Sequence, residues 1–432
     1  MKMASRNALR ILSVLPILCI LGLSQTVPSN AFRTRTTRQA EVQPRPYSAL
    51  MADSVISRSQ AIYDHEAGAS GLLQVGVFQT ALLDLLDSPS ATYLEANWEG
   101  YLTESVESVI PVLGNASADT EDFPLDRLSV GRGLKYQYET TGNQTYWRTL
   151  DTLRESIELQ HRNEYGGLWY YTYPNWSYLD GMFSLLSFYE IYTTSISTSN
   201  LTKNSPSTTL SLDFITHQLN LLYSHCHDNS TSLLVHGYDA SRTAIWANKM
   251  TGASPYVWGR SLGWFMMGLV DFLEFTLSHS TSTLSFNHNR EVLTWRERFI
   301  SLCNALIQSI DPVSGGWWQV LNEPGQEGNY IESSGSAMFV YTLLKGVRLG
   351  LLPPTEKYTA VADRAYQTLI DDFVIENVDG SLSYNGTVSV CSLNSTASYE
   401  YYIHQPLVYD SVLGSAAFIR ASVEYELYED TL

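Results

Sequence analysis

Cysteine is scarce in this 432-residue chain, which contains only four. Cys19 lies in an amino-terminal apolar run, so Cys226, Cys303 and Cys391 are left in the body of the chain. Three cysteines permit at most one disulfide, which excludes the disulfide-rich class of small secreted scaffolds. The sequence HCH at 225–227 lacks the spaced second half of a zinc site, so we predict no metal centre.

Positive charge is also scarce, with 26 Lys and Arg against 44 Asp and Glu and a formal net charge of −18. This balance argues against nucleic acid as a partner. It also excludes a general electrostatic attraction for anionic polymers. Any acidic ligand would therefore need a local cationic site.

Long apolar runs are absent except near the amino terminus. There, Lys2, Arg6 and Arg10 precede an apolar run at 11–23, which is followed by small residues near position 31. This order is typical of a secretory signal peptide, predicted at 1–31, and no later run reaches the roughly 18 apolar residues of a membrane span. We expect a secreted protein with no membrane partner after cleavage, and a flexible lead at 32–46.

Asn-X-Ser/Thr sequons occur seven times, which fits a secreted eukaryotic glycoprotein, fungal by our interpretation. We expect Asn175 to stay unmodified because a glycan there would lie close to Asp180. The sequons begin at Asn115, Asn143, Asn175, Asn200, Asn229, Asn385 and Asn394.

Apolar residues recur at helical spacing in twelve segments, which predicts an all-α protein. Connections after the odd-numbered segments are mostly long, whereas those after the even-numbered ones are short. Antiparallel neighbours would bring every long connection to one end, the expected active face. We predict one monomeric (α/α)6-barrel domain of six helical hairpins at 47–432, with an open α-solenoid as the structural alternative. The segments are 47–64, 69–88, 91–113, 124–141, 144–161, 177–195, 207–226, 258–279, 288–309, 333–350, 355–374 and 406–428.

Aromatic residues are concentrated in the long connections of a chain with ten Trp and 28 Tyr. Flat rings with polar edges suit sugars, although such residues also cap the ends of a barrel. One carboxylate, Asp180, lies among them in PNWSYLDGMF at 174–183. An Asp at a helix start is commonly an N-cap, and the alternative is an acid kept for chemistry.

A series of short motifs in fixed order resembles glycoside hydrolase family 105, the unsaturated rhamnogalacturonyl hydrolases. The resemblance spans roughly residues 124–420. The motifs are YP at 173–174, LDG at 179–181, HGYDASR at 236–242, WAN at 246–248, TG at 251–252, SP at 254–255, WGRSLGW at 258–264, NYIESSGSAM at 329–338, LKG at 344–346 and EYY at 400–402.

The resemblance implies an (α/α)6 barrel that removes a 4,5-unsaturated galacturonyl residue from oligosaccharides left by pectin lyases. The family hydrates the C4=C5 vinyl ether, which requires no metal or cofactor. A carboxyl group whose pKa is raised by an apolar setting suits the protonation of C4 and the later deprotonation of water. By its place in the pattern, Asp180 corresponds to this general acid/base.

The resemblance also implies roles for further residues. Asp126 corresponds to a second active-site Asp that binds substrate and raises the proton affinity of Asp180, with a surface Asp that pairs with Arg127 or caps the helix as the alternative. His236 corresponds to a residue that binds the sugar or the water, with a purely structural role as the alternative. Arg260 has the fork that a uronate carboxylate needs, unless it merely stacks on Trp. We place Trp258, Trp264 and Tyr178 in the substrate site.

Residues 169–171, WYY, depart from the family pattern, because bacterial family members often have His-Lys in this region. The identity of the leaving sugar is therefore open.

Three alternative functions compete with this prediction. An unsaturated glucuronyl hydrolase would use the same barrel and chemistry. An α-mannanase would need paired aspartates such as Asp371 and Asp372, which fit a solvated helix face better. A carbohydrate-binding barrel without catalysis would keep the aromatic loops and tolerate loss of Asp180.

Overall fold

The computed structural model describes residues 45–93, 97–198, 210–279 and 286–431. The predicted signal peptide at 1–31, residues 32–44 of the predicted lead and the sequon at Asn200 lie outside these residues. Arg45–Leu432 form one compact unit. Among the described helices, none combines the length with the apolar content that crossing a bilayer demands.

Helices dominate the described chain, and each of the twelve predicted segments overlaps one long helix. The short helices α4 and α13 lie in connections. The helices are α1 Tyr47–Ser57, α2 Gly71–Leu86, α3 Trp98–Val109, α4 Ala116–Asp122, α5 Gly131–Thr141, α6 Gln144–Leu159, α7 Gly181–Thr198, α8 Leu212–Cys226, α9 Gly259–His279, α10 Phe286–Gln308, α11 Ser333–Arg348, α12 Glu356–Phe373, α13 Tyr399–Ile403 and α14 Val412–Glu429.

Within the described residues, three antiparallel strand pairs lie in the connections. The predicted helix starts at 177 and 406 were wrong, because Tyr178 and Leu407 belong to strands that pair with distant segments. The pairs are β1 Trp176–Tyr178 with β2 Gly237–Asp239, β3 Val374–Glu376 with β4 Leu382–Tyr384, and β5 Thr387–Val388 with β6 Leu407–Val408.

Six helices, α2, α5, α7, α9, α11 and α14, form a closed inner ring in which each packs against the next and α14 returns to α2. The closure confirms the predicted (α/α)6 barrel and rules out the open solenoid. Burial follows this arrangement: α11 is buried on all sides from Ser333 to Gly346, whereas the outer helix α12 buries a single stripe.

Close contact between inner helices depends locally on glycine. A Cβ on Gly268 of α9 would lie 3.0 Å from the backbone of Met182 and of Phe183 in α7. Only a residue without a side chain fits there without moving one helix. This contact holds α7 and α9 close together, so that residues at their amino ends lie near each other.

Toward the carboxyl ends of the inner helices, a buried ion cluster joins four of them. Arg420 of α14 contacts Asp84 of α2 at 2.6 Å and Asp271 of α9 at 3.1 Å, and Lys345 of α11 contacts Asp271 at 2.6 Å. Buried charges are tolerated only when paired in this way. The cluster therefore supports the ring at the end remote from the long connections.

Candidate active site

The long connections meet at the amino ends of the inner helices, as predicted, and enclose an aromatic cavity. It contains the candidate residues Asp126, Asp180, Tyr178, Trp258, Arg260 and Trp264. The remaining lining residues are Ser70, Leu73, Pro124, Tyr170, Tyr171, Tyr173, Val390, Cys391, Ser392 and Leu413. Helix amino ends carry partial positive charge, so this face favours an anionic ligand.

The strand pair β1–β2 brings Asp180 to its partners. Tyr178 pairs with Gly237, and the amide of Leu179 donates to the carbonyl of His236 at 3.0 Å. A Cβ at Gly237 would lie 2.5 Å from the carbonyl oxygen of Ser177, which explains the glycine in the HGYD motif. Asp180 lies just after the end of β1 and directly before Gly181, the first residue of α7.

Asp180 is 7% exposed and turns its carboxylate toward the start of the neighbouring helix α9. The hydroxyl of Ser261, on α9, donates to its Oδ2 at 2.5 Å, and Nε2 of His236 lies 3.3 Å from the same oxygen. The carboxylate is thus held by side chains of neighbouring elements, which favours chemistry over helix capping. Sequence reasoning missed Ser261 although it lies inside the quoted WGRSLGW motif.

Asp126 lies in a turn of 3₁₀ helix, Leu125–Val130, that leads into α5, and it is 1% exposed. The hydroxyl of Tyr170 donates to its Oδ2 at 2.6 Å. Burial, together with the negative charge of Asp180, raises the pKa of Asp126 to about 7, against the lowering effect of Tyr170 and Arg127. A surface Asp paired with Arg127 is therefore the wrong description of this residue.

His236 is fully buried behind Asp180 and Tyr178 rather than on the cavity wall. Its Nδ1 and the hydroxyl of Tyr402 lie 2.8 Å apart. When the ring carries its proton on Nε2, beside Asp180, its Nδ1 accepts a hydrogen bond from the Tyr402 hydroxyl. The predicted contact with sugar or water stays a prediction, and the observed geometry suits orientation of Asp180. Tyr402 was missed, although the EYY motif contains it.

Arg260 lines the cavity, but its guanidinium already has partners. One terminal nitrogen donates to the carbonyl of Val388 and the other to that of Ser389, the latter at 2.6 Å, and the group lies 5.0 Å from the ring centre of Trp258. Its positive charge is therefore at the cavity, and two of its five N–H donors are already engaged by the backbone at 388–389.

The aromatic wall consists of stacked tyrosines. Tyr170 and Tyr178 are 4.4 Å apart at an interplanar angle of 9°, and Tyr173 continues the stack at 6.3 Å. On the other side, Trp258 is held by a hydrogen bond from its indole to Gln319 at 3.0 Å. These rings provide the flat surfaces predicted for sugar binding. The rival pair Asp371 and Asp372 is exposed on the outer helix α12.

Residues 73–428 match the family model described as Glycosyl Hydrolase Family 88. A family 105 glycoside hydrolase from C. acetobutylicum ATCC 824 superposes with a TM-score of 0.75 at 31% identity, covering 88% of this chain and 99% of that chain. Protein Atu3128 of Agrobacterium fabrum is 34% identical over 200 residues, 44% of this chain and 81% of that protein.

The unsaturated glucuronyl hydrolase of Bacillus sp. GL1 shares the fold, with a TM-score of 0.60 at 10% identity over 88% of this chain and 95% of that chain. The family model and the family 105 structure confirm the resemblance found in the sequence motifs. The chain is a glycoside hydrolase that belongs to glycosyl hydrolase family 88 as that model describes it, and it shares family 105 with the clostridial structure.

Proposed function

We propose that the protein removes a terminal 4,5-unsaturated galacturonyl residue from the oligosaccharides that pectin lyases release from rhamnogalacturonan. The observation that carries this proposal is the placement of two buried carboxyl groups, Asp126 and Asp180, with Arg260 in one aromatic cavity. Arg260 and the helix amino ends favour a uronate carboxylate in an otherwise acidic protein.

In the proposed reaction, Asp180 gives its proton to C4, and the π electrons of the C4=C5 bond form the new C–H bond. The positive charge left at C5 is shared with the ring oxygen. Water then bonds to C5 and gives a proton back to Asp180. The resulting hemiketal opens to a C5 ketone, and the hemiacetal left at C1 collapses to release the neighbouring sugar, so one water is consumed.

The arrangement of the carboxyl groups supports these roles. Ser261 and His236 both contact Oδ2 of Asp180, which leaves Oδ1 for the reacting carbon. Because burial and the negative charge of Asp180 raise the pKa of Asp126 to about 7, Asp126 holds a carboxyl proton up to neutral pH, and the proposed reaction requires that proton on Asp180 once substrate is bound. Activity should therefore fall as pH rises through about 7, when Asp126 loses that proton.

Unsaturated disaccharides generated by lyases test the substrate. We expect loss of the ultraviolet absorbance of the C4=C5 bond to be faster with unsaturated galacturonyl-rhamnose than with unsaturated glucuronyl disaccharides of glycosaminoglycans. The reverse order would assign the protein to glucuronyl substrates. Binding without absorbance loss across the whole panel would identify a carbohydrate-binding barrel.

We also propose that the protein is secreted as a monomeric glycoprotein after removal of residues 1–31. Support comes from the amino-terminal sequence and the seven sequons. Expression in a eukaryotic host should place the protein in the medium with Phe32 as its first residue, and glycopeptide mass spectrometry should find Asn175 unmodified. Retention in cells with Met1 intact would reject this proposal.

A further inference from the structure

We propose that Tyr170 is a positioning residue that fixes the carboxyl group of Asp126, so that one oxygen is held by the protein and the other is left for substrate. This inference rests on the proposed function. It concerns residues 169–171, where sequence reasoning found a departure from the family pattern and assigned no role.

The two oxygens of Asp126 have different surroundings. Oδ2 accepts the hydrogen bond from Tyr170 at 2.6 Å, whereas the buried Oδ1 has no hydrogen-bond partner among the described residues. A buried acceptor without a partner is costly and calls for a ligand that satisfies it. Because Asp126 lines the cavity, a sugar hydroxyl or water there supplies such a group.

Tyr170 is itself fixed from both sides. Its ring stacks on Tyr178, its amide donates to the carbonyl of Trp176 at 2.9 Å, and its carbonyl accepts from the amide of Leu125 at 2.9 Å. The last bond attaches Tyr170 to the residue directly before Asp126. The hydroxyl and the carboxyl group are therefore held in register by main-chain contacts as well as by their own hydrogen bond.

The charges around Asp126 make its ionisation sensitive to Tyr170. Asp180 opposes ionisation, while Arg127 favours it only at a distance, because the Arg127 guanidinium bonds to Ser156, to Gln160 and to the carbonyls of Phe123 and Pro124. Arg260 also lines this cavity. The Tyr170 hydroxyl is thus the neutral donor in direct contact with the carboxylate.

Part of the Tyr170 ring is exposed to the cavity, but its hydroxyl is enclosed against Asp126. Burial and the nearby carboxylates raise the pKa of Tyr170 well above its ordinary value, so it stays a neutral donor at working pH. A donor stabilises the carboxylate form of its acceptor. Removing the hydroxyl should therefore raise the pKa of Asp126 further.

The test is Tyr170→Phe, which keeps the stacked ring and removes the hydrogen bond. We expect kcat to fall at least tenfold with KM changed less than threefold, and the alkaline limb of the pH profile to move to higher pH. The matched control is Tyr425→Phe, which removes a hydroxyl that donates to Asp363 at the same 2.6 Å, far from the cavity. It should leave kcat and the pH profile unchanged.

A double-mutant cycle and a direct titration complete the test. In an Asp126→Asn background, Tyr170→Phe should lower kcat less than twofold further, because the group that it positions has changed. Carbon-13 NMR should show a higher titration midpoint for Asp126 in Tyr170→Phe than in the native protein. An unchanged midpoint with native kcat would overturn the proposal.

The NMR measurement does not depend on turnover. If the native protein fails to hydrate any unsaturated uronyl disaccharide, the proposed function fails, while a raised midpoint in Tyr170→Phe still supports the Tyr170–Asp126 relationship. An unchanged midpoint in that case would reject both.

Discussion

His236 and Asp180 approach each other within 3.3 Å, although about 55 residues separate them in the sequence. His236 lies directly before β2, and Asp180 lies directly before α7. Ser261 donates to the same carboxylate oxygen at 2.5 Å. The connection before α9 and the first turn of α9 thus both contact one oxygen of Asp180, which itself lies directly before α7.

Ser261 should affect the rate more than binding. Ser261→Ala removes the hydroxyl that holds Asp180, so we expect kcat to fall about tenfold, equivalent to about 1.4 kcal/mol of transition-state stabilisation, with KM nearly unchanged. Ser422→Ala is the control, because its buried hydroxyl bonds within α14 to the carbonyl of Phe418 at 2.8 Å. Equal losses in both variants would show that the effect is a general one on packing.

Arg260 should affect binding more than rate. A lysine cannot reproduce the planar fork, so Arg260→Lys should raise KM about tenfold or more while kcat changes less than threefold. Arg364→Lys is a matched control, since Arg364 also donates to two successive carbonyls, those of Pro312 and Val313, at 2.6 and 2.8 Å.

An unchanged KM in Arg260→Lys would assign the substrate carboxylate to another group. A fall in melting temperature together with a fall in kcat would instead show that Arg260 serves mainly to support residues 388–389.

The stability of the protein should depend on the ionisation of Asp126. Its folded pKa, about 7, lies above the ordinary value of 3.8, so the native state is stabilised by protonation and loses this contribution as pH rises from about 4 to about 7. Asp126→Asn is neutral throughout, and should exceed the native protein in free energy of unfolding by about 2–4 kcal/mol at pH 8.

Denaturant melts at pH 4 and pH 8 measure this difference, which should vanish at the lower pH. Asp371→Asn, on the exposed face of α12, should show no such gain. A variant that is less stable than the native protein at pH 8 would disprove the assignment of a raised pKa to Asp126.

The buried ion cluster should be essential for stability. Arg420→Met leaves Asp84 with Arg132 alone and Asp271 with Lys345 alone, which should cost about 3 kcal/mol of unfolding free energy. Lys135→Met breaks the more exposed pair with Glu139 at 2.6 Å and should cost less than about 0.5 kcal/mol. Similar melting temperatures for the two variants would show that the cluster does not stabilise the closed ring of helices.

Much of the architecture follows from local patterns in the sequence. The 3.6-residue period located all twelve long helices, and the alternation of connection lengths located the face that carries the candidate site, because inner helices begin where long connections end. The candidate residues Asp126, Tyr178, Asp180, Trp258, Arg260 and Trp264 all reach the cavity. The family resemblance supplied these, since each lies near the amino end of an inner helix or in the strand β1.

Long-range contacts were not predictable in this way. The Tyr170–Asp126 bond joins residues 44 positions apart, and the Ser261–Asp180 bond joins residues 81 apart. Neither pair leaves a periodic or compositional signal. The occupation of Arg260 by the carbonyls of residues 388–389 depends likewise on how a distant loop folds over the barrel, which no local pattern records.

Asp180→Asn tests the central claim most directly. The amide keeps the size of the side chain but cannot deliver the proton, so turnover of unsaturated galacturonyl-rhamnose should fall at least about a thousandfold. Calorimetric affinity should stay within about threefold of the native value. Asp213→Asn, which alters an aspartate 3.0 Å from His288 on the surface, should retain full activity. Undiminished loss of ultraviolet absorbance in Asp180→Asn would contradict the account.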